Sequence, residues 1–292
     1  MLISQAIAAV KAYCHGANPD GTPIDAEKTR DQVLWGSDRL DQECTGIVTC
    51  IWASTDVIRE AAARGANLVI SHEALFWNHG DHTDWLRAQK TRAFLAKTAL
   101  LDEHGITVWR CHDYIHSGVP LGPDGSFVDG IFFGLADRLG WSPEAPVAPL
   151  ANQHVFLTTQ LDGRPACELA AQVAQALGSN GVRIIGDPQT PVHRVGLAMH
   201  MIGYLDNAMI TAMDEGIDCL LAMETTDYTL LQYVQDASEN GVPKCVLSCG
   251  HFNIEDPGMA YMVNWLPAAL GEGAPVVSYV KAGDPFSYLT VS

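Results

Sequence analysis

Basic residues are scarce in this chain. Lys and Arg number 17 against 34 Asp and Glu, a formal net charge of −17 at neutral pH. That balance repels phosphate backbones and anionic lipid, so no nucleic acid and no membrane surface is expected as a partner. None of the eight cysteines forms a CxxC pair. The chain is too long to be a disulfide scaffold, and several cysteines lie in apolar runs, so reduced, buried thiols in a cytoplasmic protein are expected. No apolar stretch reaches the roughly 18 residues that would suggest a membrane span. The opening "MLISQAIAAVKAYC" has no basic residue ahead of its apolar run and reads as an amphipathic first helix, not a signal peptide. There is no GxSxG nucleophile turn, no GxxxxGK[ST] phosphate loop and no low-complexity segment.

What is present is a recurring order of elements. The 292 residues, 48% hydrophobic and 17% charged, suit one large globular domain or two moderate ones. In "TDVIREAAARGANLVISHEALFW" a helical pattern over Asp56–Ala63 is followed by Gly65, an apolar run over Asn67–Ile70, then Ser71, His72 and Glu73. "RAFLAKTALLDEHGITVWRCHDYIHSG" repeats it with Gly105, a strand over Ile106–Arg110, then Cys111, His112, Asp113 and His116. A third unit runs through Gly216 and a strand over Asp218–Ala222 to Glu224. A fourth runs through Gly241 and a strand over Lys244–Ser248 to His251 and Glu255. A glycine after each helix suits a left-handed C-cap, and short continuous apolar strands suit a sheet buried on both faces. The fold class expected is therefore α/β. Further strands are expected over Gly46–Trp52, His154–Leu161 and His193–Met201, a helix over Arg164–Leu177, a loop over Ser117–Gly130, and a last strand within Ala274–Phe286.

In α/β sheets, ligands collect beyond the carboxyl ends of the strands. Three of the four units place histidine there and the other places a glutamate. His72, Glu73, His116, His251 and Glu255 offer imidazole nitrogens and carboxylate oxygens, a mixture that suits Zn, Fe, Mn, Co or Ni. Five ligands exceed the usual three of one catalytic ion and suit two divalent ions. His112 and His116 are four apart, as are His251 and Glu255, which on a helix would share a face. Pro257 disfavours helix at Asp256 and "SGVP" follows His116, so both pairs are expected in tight loops. Bland readings stand beside these. A lone histidine is most often a hydrogen-bonded structural residue. Glu73 would also serve as a helix cap, and His104 as a cation at a helix C-terminus. His79 and His82 sit in a polar loop and read as solvated. Cys111 and Cys249 read as inert buried thiols, and Trp77 and Tyr114 as core or rim.

At "GANLVISHEALFW", "HDYIHSG", "DCLLAMETTDY" and "SCGHFNIE" the chain resembles the Nif-three-like (NGG-one-interacting-factor-three-like) dinuclear metal proteins, many of which carry the name type-two GTP cyclohydrolase I. The likeness runs from about residue 30 to "DPFSYL". The family's His-His pair reads here His72-Glu73, and its His-Thr-Asn-Leu-Asp reads His112-Asp113-Tyr114-Ile115-His116. Gly-His-x-x-x-Glu is intact as Gly250, His251 and Glu255, and the glutamate after the penultimate strand survives as Glu224. One position loses an imidazole and gains a carboxylate, and the other does the reverse, so the ligand total is kept.

The resemblance implies two α/β lobes with a dinuclear metal site in the cleft between them, residues 1–117 with 252–292 forming one lobe and 118–251 the other. It implies a metal-dependent hydrolase acting on an amide or ring C–N bond of a small molecule, in which a water activated between two divalent ions attacks the electrophilic carbon. The metal ligands implied are His72, Glu73, His116, His251 and Glu255. Glu224 is the implied acid or base, and His112 orients a ligand or stabilises the oxyanion. A homo-oligomer, as a hexameric ring, is also implied. Two alternatives stand: a non-enzymatic metal-handling or regulatory protein, and GTP cyclohydrolysis. The scarcity of Arg and Lys near the motifs (Arg87, Lys90 and Arg110 are the closest) argues against a nucleotide pocket.

Overall fold

A computed structural model of the chain describes residues 1–141, 155–198 and 206–289. In chain order they form α1 (Ile3–Tyr13), β1 (Val33–Trp35), β2 (Ile47–Cys50), α2 (Thr55–Ala63), β3 (Leu68–Ser71), α3 (Asp84–Gln89), α4 (Arg92–Glu103), β4 (Thr107–Arg110), α5 (Asp113–Ser117) and α6 (Gly130–Leu139). Then follow β5 (Val155–Pro165), α7 (Ala166–Leu177), β6 (Arg183–Ile185), β7 (Pro191–Ala198), α8 (Asp206–Asp214), β8 (Cys219–Ala222), α9 (Leu230–Glu239), β9 (Cys245–Ser248), α10 (His251–Leu270) and β10 (Val277–Tyr279). The fold is mixed α/β, as the helix–glycine–strand order predicts. Of the expected strands, His154 and residues 199–201 lie outside the described residues.

The chain divides into two compact units, residues 1–134 with 258–282 and residues 135–257 with 283–292. The boundaries read from the resemblance, 117 and 251, thus differ from the compact ones, 134 and 257, and the last ten residues go with the second unit.

The first unit holds a five-stranded sheet in the order β1-β4-β3-β2-β10. β10, β2, β3 and β4 run parallel and β1 is antiparallel to β4. Every residue of β2, β3 and β4 is buried, which explains why each strand is a short unbroken apolar run with no alternation. Val48, Val69 and Val108 pack with Val57, Ile58 and Ala61 of α2 and Leu101 of α4. The Ser54 side chain accepts the Val57 amide at 3.1 Å and starts α2. Gly65, at φ 70°, ends it in the left-handed conformation that glycine adopts without strain. Opposite one another in register stand Cys50, Ser71 and Arg110, so the carboxyl tips of three strands are level.

The second unit repeats the plan with a sheet in the order β5-β7-β8-β9-β6. β7, β8 and β9 are parallel, while the edge strands β5 and β6 are antiparallel. Its core joins Leu220 and Val246 to Met209, Ala212 and Met213 of α8 and Val234 of α9. Buried Lys244 gives its ammonium to the carbonyls of Met213 and Ile217 at 2.6 and 2.9 Å, satisfying the end of α8. Ala198, Ala222 and Ser248 are level in register.

The pair His251 and Glu255 departs from the tight loop expected for it. Both residues lie on α10, which continues through Pro257. The proline removes one helical N–H, but Ile254, Met259 and Met262 on that helix are fully buried and hold its course. His112 caps α5 and His116 lies within it, so the second pair also sits on a helix, of a single turn and a half.

In the first unit Lys97 of α4 is buried, with its ammonium 2.6 Å from the Leu75 carbonyl and over the rings of Trp52 and Phe76. Burial pulls its pKa down to about 8. Between that value and about 10.5 the unfolded chain carries the extra proton, so native stability rises with pH across this window. Thermal denaturation from pH 7 to 10.5 should show native protein gaining on Lys97→Met as pH rises. Parallel curves would contradict the assignment.

Candidate metal centre

In the first unit the tip of β3 turns sharply into His72 and Glu73. Both backbone amides donate to Ile51, at 3.2 and 2.8 Å, which holds the turn on the neighbouring strand. The next tip, β4, leads through Cys111 into His112, the N-cap of α5. This cap depends on Asp31, a buried carboxylate from far upstream. Its Oδ1 accepts the His112 amide at 2.7 Å, and its Oδ2 accepts the Asp113 amide at 2.7 Å and the Thr29 hydroxyl at 2.8 Å. Burial raises the Asp31 pKa, against these hydrogen bonds.

The turn brings three imidazoles together. His72 and His112 stack with centroids 4.6 Å apart and 14° between planes, and His116 stands edge-on to each at 5.0 Å. One ring nitrogen from each falls within 4.8 Å of the others. Every Nδ1 is engaged by an oxygen: His72 by the Cys111 carbonyl at 3.0 Å, His112 by Asp113 at 2.9 Å, His116 by Asp129 at 2.8 Å. A carbonyl only accepts, so His72 donates from Nδ1, and the carboxylates favour the same tautomer in the other two. Each Nε2 is then the lone-pair nitrogen. Imidazoles whose Nδ1–H is held by an oxygen, and which bring one ring nitrogen each close together, are the arrangement of histidine-bound metals. Burial above all, with His72 next, pushes the His112 pKa down to about 3, so that ring stays neutral. Burial works to raise Asp113, but hydrogen bonds from His112, Arg30 and Thr29 outweigh it and hold the carboxyl well below its usual range. The donor set is therefore one that could hold a metal ion.

Glu73 is buried beside this cluster. Its Oε2 lies 3.1 Å from Nη2 of fully buried Arg110 and 3.3 Å from Nδ1 of His79. His79 is half exposed, yet it is engaged as well as solvated, with its ring also edge-on to His112 at 6.0 Å. His82 is exposed and His104 caps α4, as read. Cys111 and Cys249 are buried, and burial drives both thiols up, which keeps them unreactive.

In the second unit the tip of β8 leads to Glu224 and that of β9 to Gly250 and His251. Gly250 has φ 92°, and a Cβ there would lie 2.5 Å from the Phe286 ring, so the glycine of this motif has a steric cause. His251 sits between two carboxylates: Nδ1 is 2.7 Å from Glu224 Oε1, and Nε2 is 2.8 Å from Glu255 Oε2, one helical turn on. Glu255 is buried, whereas the Glu224 side chain is 38% exposed. Glu224 thus orients an imidazole, in the manner of a carboxylate behind a metal-binding histidine.

Of the seven residues singled out from the sequence, the first unit gathers His72, His112 and His116 and sets Glu73 against Arg110. The second unit joins Glu224, His251 and Glu255. Sequence reasoning missed Asp31, Asp129 and the buried role of Arg110. Asp129 had a signal: an aspartate just before "GIFF" is an N-cap pattern, and its Oδ1 does accept the Ile131 and Phe132 amides at 2.9 and 3.0 Å. Asp31 had none, since the α5 amides that it accepts lie more than eighty residues away.

Asp129→Ala should weaken metal binding by about 10–100-fold, because it releases His116 Nδ1. Chelator competition on refolded protein measures this, and an unchanged affinity would remove His116 from the ligand set.

Among the described residues no helix is long and apolar enough to cross a membrane. The sequence profile of the family described as Duf34/NIF3 (NGG1p interacting factor 3) matches residues 22–282. A protein of Clostridium acetobutylicum named "GTP cyclohydrolase 1 type 2 homolog" is 23% identical over 275 residues, covering 92% of this chain and 95% of that protein. One of the same name from Clostridium perfringens is 23% identical over 273 residues, covering 92% and 96%. The solved structure of a Bacillus cereus protein related to NIF3 superimposes with a TM-score of 0.67 at 13% identity, over 99% of each chain, a likeness of fold. A profile match over residues 22–282, most of the sequence, shows that the chain belongs to the Duf34/NIF3 family.

Proposed function

We propose that this protein is a metal-dependent hydrolase that opens an amide or ring C–N bond of a small molecule. The observation that carries the reading is the three-imidazole cluster, whose Nδ1 atoms are all held by oxygens. Two divalent ions are proposed, and the candidate ligands are His72, Glu73, His112, His116, His251 and Glu255. When bound, such ions supply Lewis acidity and a nucleophilic water at neutral pH. The choice of a C–N bond leans on the name carried by the clostridial relatives, "GTP cyclohydrolase 1 type 2 homolog".

The chain's own groups have defined tasks in this reading. Neutral His112, with its depressed pKa, keeps a lone pair available well below neutral pH. Asp113 and Asp129 hold the tautomers of His112 and His116. Glu224 holds His251 Nδ1 through Oε1 and is partly exposed, which makes its carboxylate the group proposed to exchange a proton during turnover. The fixed rings need no rearrangement when charge develops on the substrate.

Elemental analysis of native protein alongside His251→Ala tests the metal reading, with about two ions per chain expected in the first and a clear drop in the second. Metal-loaded protein assayed on cyclic amides, dihydropyrimidines and GTP tests the chemistry. Release of a ring-opened product that stops in His251→Ala is the expected result. Metal exchange with no turnover on any of them would favour a carrier, and turnover by metal-free protein would refute the proposal.

A further inference from the structure

Arg110 ends β4 and is fully buried, a costly place for a cation unless every donor is matched. Here they are matched. Nε donates to the His72 carbonyl at 3.0 Å, Nη1 to the His79 carbonyl and to Asp81 Oδ2, both at 2.8 Å, and Nη2 to Glu73 Oε2 at 3.1 Å. One guanidinium thus ties the His72–Glu73 turn to the loop at His79–Asp81 and faces two carboxylates.

The geometry around Glu73 is that of half a coordination site with a cation already on it. His79 Nδ1 and Glu73 Oε2 are 3.3 Å apart. Two donors on a tetrahedral ion with bonds of about 2.0–2.1 Å stand about 3.3 Å apart as well. Arg110 Nη2 faces both atoms, 3.1 Å from the oxygen and 3.5 Å from the nitrogen. A fixed positive charge there repels a divalent ion and keeps Oε2 engaged, so Glu73 turns at most one oxygen, with its charge partly neutralised, toward any ion. Within the imidazole cluster the Nδ1 partners are instead a carbonyl and two carboxylates.

We infer that Arg110 is a positioning residue that restricts Glu73 to a single oxygen and makes the two metal positions unequal, the imidazole position tight and the Glu73 position weak. The inference rests on the metal-site reading above. It accounts for an arginine so deeply buried beside a site built for cations. The guanidinium balances Glu73 when the weak position is empty, and an ion entering there competes with it.

Stepwise zinc titration of metal-free, full-length protein against a chromophoric chelator tests this. Native protein should take up one equivalent tightly, with any second at least about ten-fold weaker. Glu73→Gln keeps an acceptor oxygen for Arg110 but loses the charge, and should weaken or abolish only the second equivalent. Arg110→Gln removes the competing cation and should bring the second equivalent closer to the first, an effect a merely structural arginine would not produce. If that variant does not fold, the Glu73→Gln titration decides. Two native equivalents of equal affinity, or a Glu73→Gln variant in which the first equivalent weakens, would overturn the inference alone. Native protein that binds no zinc would overturn the metal reading and the inference together.

Discussion

The structure depends on one constraint, the register of short parallel strands. In each unit three neighbouring strands end level with one another, at Cys50, Ser71 and Arg110 in the first and at Ala198, Ala222 and Ser248 in the second. Parallel pairing fixes every strand's direction, so chemistry written just after a strand must emerge on the same edge. A one-residue slip would turn each buried side chain to the other face and carry the histidines away from each other. In each unit the helices packed against the strands hold them in that register.

Rigid strand ends explain where the histidines are, but not how their rings are aimed. That is done by oxygens behind them: a main-chain carbonyl for His72, Asp113 for His112, Asp129 for His116 and Glu224 for His251. Asp129 also caps α6, while Asp31 caps α5, the helix that carries His116. Loss of Asp129 therefore acts on the backbone and on the His116 ring at once.

The two units carry different electrostatic characters. The first presents three imidazoles, of which His112 is held neutral, and a carboxylate shared with Arg110. The second presents one imidazole between two carboxylates. A carboxylate at 73 in a buried turn would be unfavourable alone, and the Arg110 guanidinium meets that cost.

Local sequence carried much of the architecture. The order of helix, glycine and apolar run predicts most strands to within a residue or two, because continuous burial imposes composition on each short strand. It also places His72, His112, His116, Glu224 and His251 just beyond strand ends, since that depends on chain order alone. The helical course of His251–Glu255 was hidden by Pro257, whose local preference is overridden by burial of the same helix. The stacking of His72 on His112, the cap supplied by Asp31 and the capture of Glu73 by Arg110 were decided only in three dimensions. Each joins residues tens of positions apart, and a hydrogen bond between such partners leaves no periodic trace along the chain.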